Sequence, residues 1–353
     1  MLDTTTNISK PIVADYSKSV QEVFSTAAAH CLLNLPGWRG LGSIGDRNEY
    51  HTQGLPSWVP DYTRAVPWRL LRRSRSDMFK TAIHEKPEIQ YDSSSPYTLS
   101  SPYHHFDTIT AVTTAYWEND EGYHQMVEIL NLALGSLHAK AQDNGDLVRV
   151  LGRTLTADQA GLYDDASYDF ISQFGEMTYC MLWLHIADKD PALADELLQN
   201  PGISLSAALS VLGLRNDSDL ISKLLQPYRH LYQTEQQIRA GSQFRRQKQG
   251  YTYTGRNQPQ KSSTWSIRLD WGSASDGRCL FRTEQGHLGL GPRTARVGDQ
   301  VGILQGAEVP HVFRRAPKGS EDDLSLVGDA YVYGIMYGEL EGEELEYKVI
   351  TLH

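Results

Sequence analysis

The chain has 353 residues and a formal net charge of −10, from 33 basic and 43 acidic side chains. A hydrophobic share of 40% beside 22% charged residues describes a folded globular protein, not a disordered tail. The acidic balance argues against a general nucleic-acid binder, and no apolar run approaches the roughly 20 residues of a membrane span.

The elements read in chain order suggest a mixed architecture. Val20, Val23, Phe24, Ala27, Ala28, Cys31 and Leu32 recur at helical spacing, so Ser17–Leu33 is predicted to be a helix. Ser19 followed by Glu22 fits a capping box at its start, and Pro36-Gly37 ends it. Residues 36–115 hold many Gly, Pro, Trp and Tyr and predict short strands and loops, with one strand over Thr108–Trp117. The middle is helical: Tyr123–Lys140, with Met126, Leu130, Leu134 and Leu137 on one face, then Tyr168–Ala187, Asp190–Leu198, Ser206–Leu214 and Ser218–Arg239. Gly241–Ser263 is polar and reads as an exposed loop. Past Trp265 the spacing changes to short β-prone runs: Arg278–Thr283, Gln300–Leu304, His311–Arg315, Tyr331–Ile335 and Tyr347–Leu352. The fold class expected is α+β, a helical middle section combined with a small antiparallel β-barrel or sheet at the C-terminal end. The segments are 1–118 mixed, 119–240 helical, 241–263 polar loop and 264–353 β-rich, joined as one integrated unit.

Motifs for common chemistry are weak. Gly40-Leu41-Gly42-Ser43-Ile44-Gly45 matches G-x-G-x-x-G, yet no strand precedes it and no apolar helical stripe follows, so a glycine-rich loop is the plainer reading. His104 and His105 are adjacent, which on a strand aims them at opposite faces and away from a shared metal. Cys31, Cys180 and Cys279 are odd in number and far apart, and are expected to be buried reduced thiols of a cytoplasmic protein. Arg69, Arg72, Arg73 and Arg75 form a short basic cluster, read as a solvated face. No metal and no cofactor is expected.

Leu55-Pro56-Ser57-Trp58-Val59-Pro60-Asp61-Tyr62 is less ordinary. Two prolines fix the backbone around a tryptophan, and Arg64 and Trp68 follow. Rigid prolines and large aromatics can wall a pocket at low entropic cost; they can equally pack as core, with Asp61 capping a turn. Both readings stay open at this point.

These residues also carry a resemblance. Asp15-Tyr16-Ser17-Lys18-Ser19-Val20 with Glu22-Val23-Phe24 resembles the segment that follows the heterokaryon-incompatibility (HET) domain of filamentous-fungal proteins. Leu55 through Tyr62 is similar to that family's L-P-S-W-V-P-D-W, and Arg153-Thr154-Leu155 with Asp158 to its R-T-L-x-x-D. Leu280-Phe281-Arg282-Thr283 with Gly286, Leu288, Gly289, Gly291 and Pro292 resembles its F-x-T-x-x-G-x-L-G-L-G-P. Gly298-Asp299, Val309-Pro310 and the run from Val327 to Glu339 resemble its closing part. Tyr62 stands where the family usually has Trp, and Tyr333 where it often has His. Nothing like the S-Y-x-W-G signature of the HET domain precedes Asp15, so the chain is expected to be a stand-alone version of the family's C-terminal region.

Two functions follow from that resemblance. One is a cofactor-free pericyclase that closes an oxidised terpene by an intramolecular Diels–Alder reaction in fungal secondary metabolism. Such a reaction needs only a reactive pose and a hydrogen-bond donor to a carbonyl. Tyr62 and Arg64 are then the candidate catalytic donors, and Trp58, Trp68, Tyr116 and Trp117 the candidate substrate-binding wall around a small terpenoid. The alternative is a non-catalytic interaction or regulatory module of the incompatibility type, acting through a protein partner.

Overall fold

The computed structural model describes residues 15–34, 38, 40–41, 44, 52–63, 79–82, 87–91, 94–114, 123–140, 144–158, 274–316 and 320–353, with scattered positions between 174 and 196. The chain divides into two compact units, one of Met1–Tyr116 with Ala274–His353 and one of Trp117–Ser273. The predicted helices Ser206–Leu214 and Ser218–Arg239 and the loop Gly241–Ser263 lie outside the described residues.

The first unit opens on α1, Val20–Asn34. Its capping box forms as the spacing predicts. Ser19 donates its N–H and hydroxyl to Glu22 Oε2, both at 2.8 Å, and Glu22 N–H donates back to Ser19 Oγ at 3.2 Å. Those two bonds hold the Glu22 carboxyl below its ordinary value. Ala28, Ala29 and Leu32 are buried on the inner face, while Cys31 is only partly buried, short of the burial expected for it.

Nine strands build the sheet: β1 Gln90–Tyr91, β2 Leu99–Val112, β3 Arg278–Thr283, β4 Leu288–Pro292, β5 Gln300–Leu304, β6 His311–Arg315, β7 Asp323–Asp329, β8 Tyr331–Val332 and β9 Lys348–Leu352. The order is β5-β6-β7-β9-β2-β3-β4-β8, and β2 also pairs with β5, so five of the strands close a ring. All pairings are antiparallel except β7 with β9. The predicted strand at Thr108–Trp117 starts nine residues earlier and is the longest in the sheet, fourteen residues. Its length has a cause: Leu99–Tyr103 pair with β9, Tyr103–Thr108 with β5, and Ile109–Val112 with β3. A bulge between His105 and Asp107 interrupts the register midway. The predicted run Tyr331–Ile335 pairs only at Tyr331 and Val332 before turning.

Two apolar clusters lie on the two sides of these strands. Leu99, Tyr103, Leu304, Phe313, Leu324, Leu326, Ile350 and Leu352 meet α1, Trp38, Leu41 and Trp58 in the first. Ile109, Phe281, Val301, Ile303, Val312, Val327 and Val332 form the second. Alternation along β5 and β6 distributes their side chains between the two, as a pleated strand requires. Gly302 is dictated by this packing: a Cβ there would overlap the ring of Tyr103, whose hydroxyl donates to Gln300 Oε1 at 2.9 Å. Gly289 is constrained in the same way by the ring of Phe281.

The second unit is helical where it is described. The helix α2, Tyr123–Lys140, has the predicted bounds, and α3, Asn144–Leu155, follows it without a counterpart in the sequence reading. Met126, Leu130 and Leu134 are buried as the face predicts, and so are Val127, Ile129, Leu132 and Ala133. Phe174, Thr178, Met181, Leu182, His185 and Ile186 are helical and buried, in line with the apolar helix read over Tyr168–Ala187. Among the described residues no helix is long and apolar enough to cross a membrane.

Candidate functional site

The segment Leu55–Tyr62 is the feature that chemistry and resemblance both single out, and it sits where three parts of the first unit meet. Ser57 donates its N–H to the carbonyl of His353 at 2.6 Å. Its buried Oγ accepts the N–H of Leu326 at 2.9 Å. That amide lies beside Val327, the extra residue on β7 where the ladder shifts opposite Val312 and Phe313 of β6. One serine thus ties the proline-framed turn to β7 and to the end of β9. Trp58 is fully buried in the first cluster; its ring stands edge-on to Tyr91 at 5.9 Å and its Nε1–H donates to Tyr97 O at 3.4 Å.

Asp61 ends the segment as a turn cap. Its Oδ2 accepts Thr52 N–H at 2.9 Å, and its Oδ1 accepts the Thr63 N–H at 3.1 Å and hydroxyl at 2.6 Å. Burial pushes the carboxyl up, but these hydrogen bonds outweigh it and hold the group at about 2, from 3.8. A carboxyl with a depressed folded value stabilises the fold above its unfolded value and loses that contribution as the pH falls through the folded one. Asp61→Asn is therefore expected to lose about 1–2 kcal/mol at pH 7, and the gap to the parent to close between about pH 4 and pH 2. Urea melts across that range check it; a gap independent of pH would contradict the account.

Of the six candidate residues, two are described. Trp58 faces the interior cluster. Tyr62 is 48% exposed and packs edge-on against Phe24 of α1, ring centroids 5.2 Å apart. Burial, with Cys31 nearby, pushes its phenol up to about 12. Arg64, Trp68, Tyr116 and Trp117 lie outside the described residues, as do Arg69, Arg72, Arg73 and Arg75. In the glycine-rich stretch, Leu41 and Ile44 are buried and follow one another in tight turns, Leu41 N–H to Trp38 O and Ile44 N–H to Leu41 O. Among the described residues no group of three or more His, Cys, Asp or Glu is placed to hold a metal.

The sequence reading missed a polar core. Arg278 at the start of β3 and Asp329 at the end of β7 are both about 1% exposed. Arg278 donates to Asp329 Oδ1 at 2.6 Å and to its carbonyl at 3.0 Å. Among the described residues Asp329 Oδ2 has no hydrogen-bond partner. His311, also buried, is directly opposite Asp329 in the β6–β7 ladder. A second pair, Arg314 with Asp299, is bidentate at 2.8 Å on both arms, and Asp299 also accepts the N–H of Arg296. The only signal for the first pair was an arginine heading the apolar run Cys279-Leu280-Phe281 and an aspartate inside Val327-Gly328-Asp329-Ala330-Tyr331.

These elements, β3 through β8 with their buried pairs, are the part of the chain that a known family describes. Residues 236–348 match the Het-6 beta-barrel domain. The Het-6 match takes in about a third of the chain, including both arginine–aspartate pairs. Heterokaryon incompatibility protein 6, OR allele, of Neurospora crassa is 40% identical over 65 residues, 18% of this chain. The chain spans about a tenth of that relative's length. No solved structure matches. The Het-6 likeness supports the resemblance read from the sequence, to the C-terminal region of HET-family proteins. Neither likeness supports a Diels–Alderase.

Proposed function

We propose that the chain is a non-catalytic interaction or regulatory module of the heterokaryon-incompatibility type, acting through a protein partner. The match of residues 236–348 to the Het-6 beta-barrel domain carries this reading, and the likeness to a Neurospora protein named for heterokaryon incompatibility supports it. The roles of Ser57, Trp58 and Asp61 are consistent with it, because their polar groups are committed to holding the fold together. If so, the module, expressed in one strain of a Neurospora crassa pairing that is incompatible through heterokaryon incompatibility protein 6, should interfere with that incompatibility. Viable heterokaryons then become more frequent. An unchanged frequency at verified expression overturns the reading.

A cofactor-free cyclisation of an oxidised terpene is the second reading, and Tyr62 is what favours it. A half-exposed phenol held at about 12 stays protonated at neutral pH and can donate to a carbonyl. Under this reading Arg64 is the other donor, and Trp58, which has no exposed surface, is not part of the substrate wall. Purified protein would accelerate the closure of a diene tethered to an unsaturated aldehyde, and Tyr62→Phe would slow it. A rate equal to that in buffer overturns it.

A further inference from the structure

The turn between β6 and β7 carries an exposed serine directly ahead of three acids, Ser320-Glu321-Asp322-Asp323. Ser320 N–H donates to Asp323 Oδ2 at 2.6 Å, and Asp323 N–H closes the turn on Ser320 O at 3.2 Å. Among the described residues three basic groups stand around this turn, each already matched to an acid. Arg315 is 3.7 Å from Glu321, Lys348 is 2.8 Å from Asp322, and His353 Nε2 is 2.8 Å from Asp323 Oδ1. Two of the three belong to the C-terminal stretch. Lys348 begins β9, and His353 follows its last residue.

We propose that Ser320 is a phosphorylation site for an acid-directed serine kinase, and that the added phosphate releases the end of β9 from β7. The serine is accessible, and the carboxylates at the first, second and third positions after it suit a kinase whose peptide cleft is basic. In the transfer, Ser320 Oγ attacks the γ-phosphorus of ATP. The Oγ–P bond forms, the bond from that phosphorus to the β,γ-bridging oxygen breaks, ADP leaves, and the hydroxyl proton passes to the kinase's base. The product brings about two negative charges to a turn that holds three carboxylates, each already facing a described basic group. The phosphorylated oxygen has no proton to donate, so it repels the Asp323 carboxylate that caps the turn.

The effect travels along bonds already described. Asp323 and Leu324 are the residues of β7 that pair with Thr351 and Leu352 of β9. Thr351 N–H donates to Asp322 O at 2.9 Å, and His353 N–H to Leu324 O at 3.3 Å. Displacing Asp323 therefore loosens the parallel pair at its end, and with it the carbonyl of His353 that receives Ser57 N–H. The proposal goes beyond the interaction-module reading and does not depend on it.

The full chain, incubated with ATP and a casein-kinase-type acid-directed kinase, is expected to gain one phosphate at Ser320 by tandem mass spectrometry. Ser320→Ala should abolish it, and Glu321→Gln should slow it severalfold. Hydrogen exchange at Thr351 and His353 should then quicken roughly fivefold or more in the phosphorylated chain. Failure to modify Ser320 while an acidic control peptide is fully phosphorylated overturns the site. Modification with exchange unchanged or slowed overturns the release.

Discussion

Arg278→Ala should cost about 3–5 kcal/mol of stability, a large part of an ordinary domain's margin of roughly 5–15 kcal/mol. Asp329 is about 1% exposed, and its Oδ1 and its carbonyl both take donors from Arg278. Without the guanidinium a carboxylate remains buried with no counter-charge from that side, and the desolvation cost of the ion is no longer offset. Removing both charges is a different experiment. Arg278→Met with Asp329→Leu replaces an ion pair by apolar volume, which is often neutral or stabilising. The double variant is therefore expected to recover most of what the single one loses. Guanidinium melts of the three proteins decide it; a single-variant loss under about 1 kcal/mol would show that the pair is not the buried bridge described.

Trp58→Ala should lose about 3–5 kcal/mol, with Trp58→Phe losing clearly less. Trp58 has no exposed surface and lies among Leu55, Val59, Leu99 and the side chains of α1. Truncating it leaves a cavity that the prolines on either side keep from collapsing. The outcome also separates the two readings of the L-P-S-W-V-P-D-Y segment. A tryptophan that walls a solvent-filled pocket can be truncated at small cost to the fold, whereas one that fills the core cannot. A loss near zero, measured by the same melts, would move Trp58 back to the pocket wall.

Much of the sheet was legible because its strands state themselves locally. Runs such as Cys279-Leu280-Phe281 and Gln300-Val301-Gly302-Ile303-Leu304 combine strand-forming residues with turns at both ends, and β3, β5 and β6 have the predicted bounds. The capping box was equally local, two residues three apart. Other parts depend on partners distant in the chain. Ser100-Ser101-Pro102-Tyr103-His104-His105 has little strand propensity, and becomes strand because β9 and β5 pair with it. Leu288-Gly289-Leu290-Gly291-Pro292 reads as a loop, since glycine weakens strands. The glycines are there because the Phe281 ring lies over them. α3 was hidden by the glycines at 145 and 152, which break an otherwise helical pattern. At the candidate site the unusual segment was visible, but the task of Ser57 was not. Its amide partner is Leu326, and no local pattern marks a serine that far away as its acceptor. The Arg278–Asp329 bridge was illegible for the same reason, each residue being unremarkable until the sheet aligns them.

The strand that completes the ring is made early and its partners late. β2 spans residues 99–112, while β5 and β9, which flank it, lie at 300–304 and 348–352. During synthesis a fourteen-residue strand with Leu99, Tyr103 and Ile109 on its faces leaves the ribosome paired only at Leu99 and Ser100, to β1, with the rest of its edges open. It must wait through residues 117–273, which branch off between β2 and β3, before the return strand pairs Val112 with Phe281. Such a nascent chain is a natural client for a holding chaperone, and its yield in a foreign host should depend on how fast translation crosses the insertion.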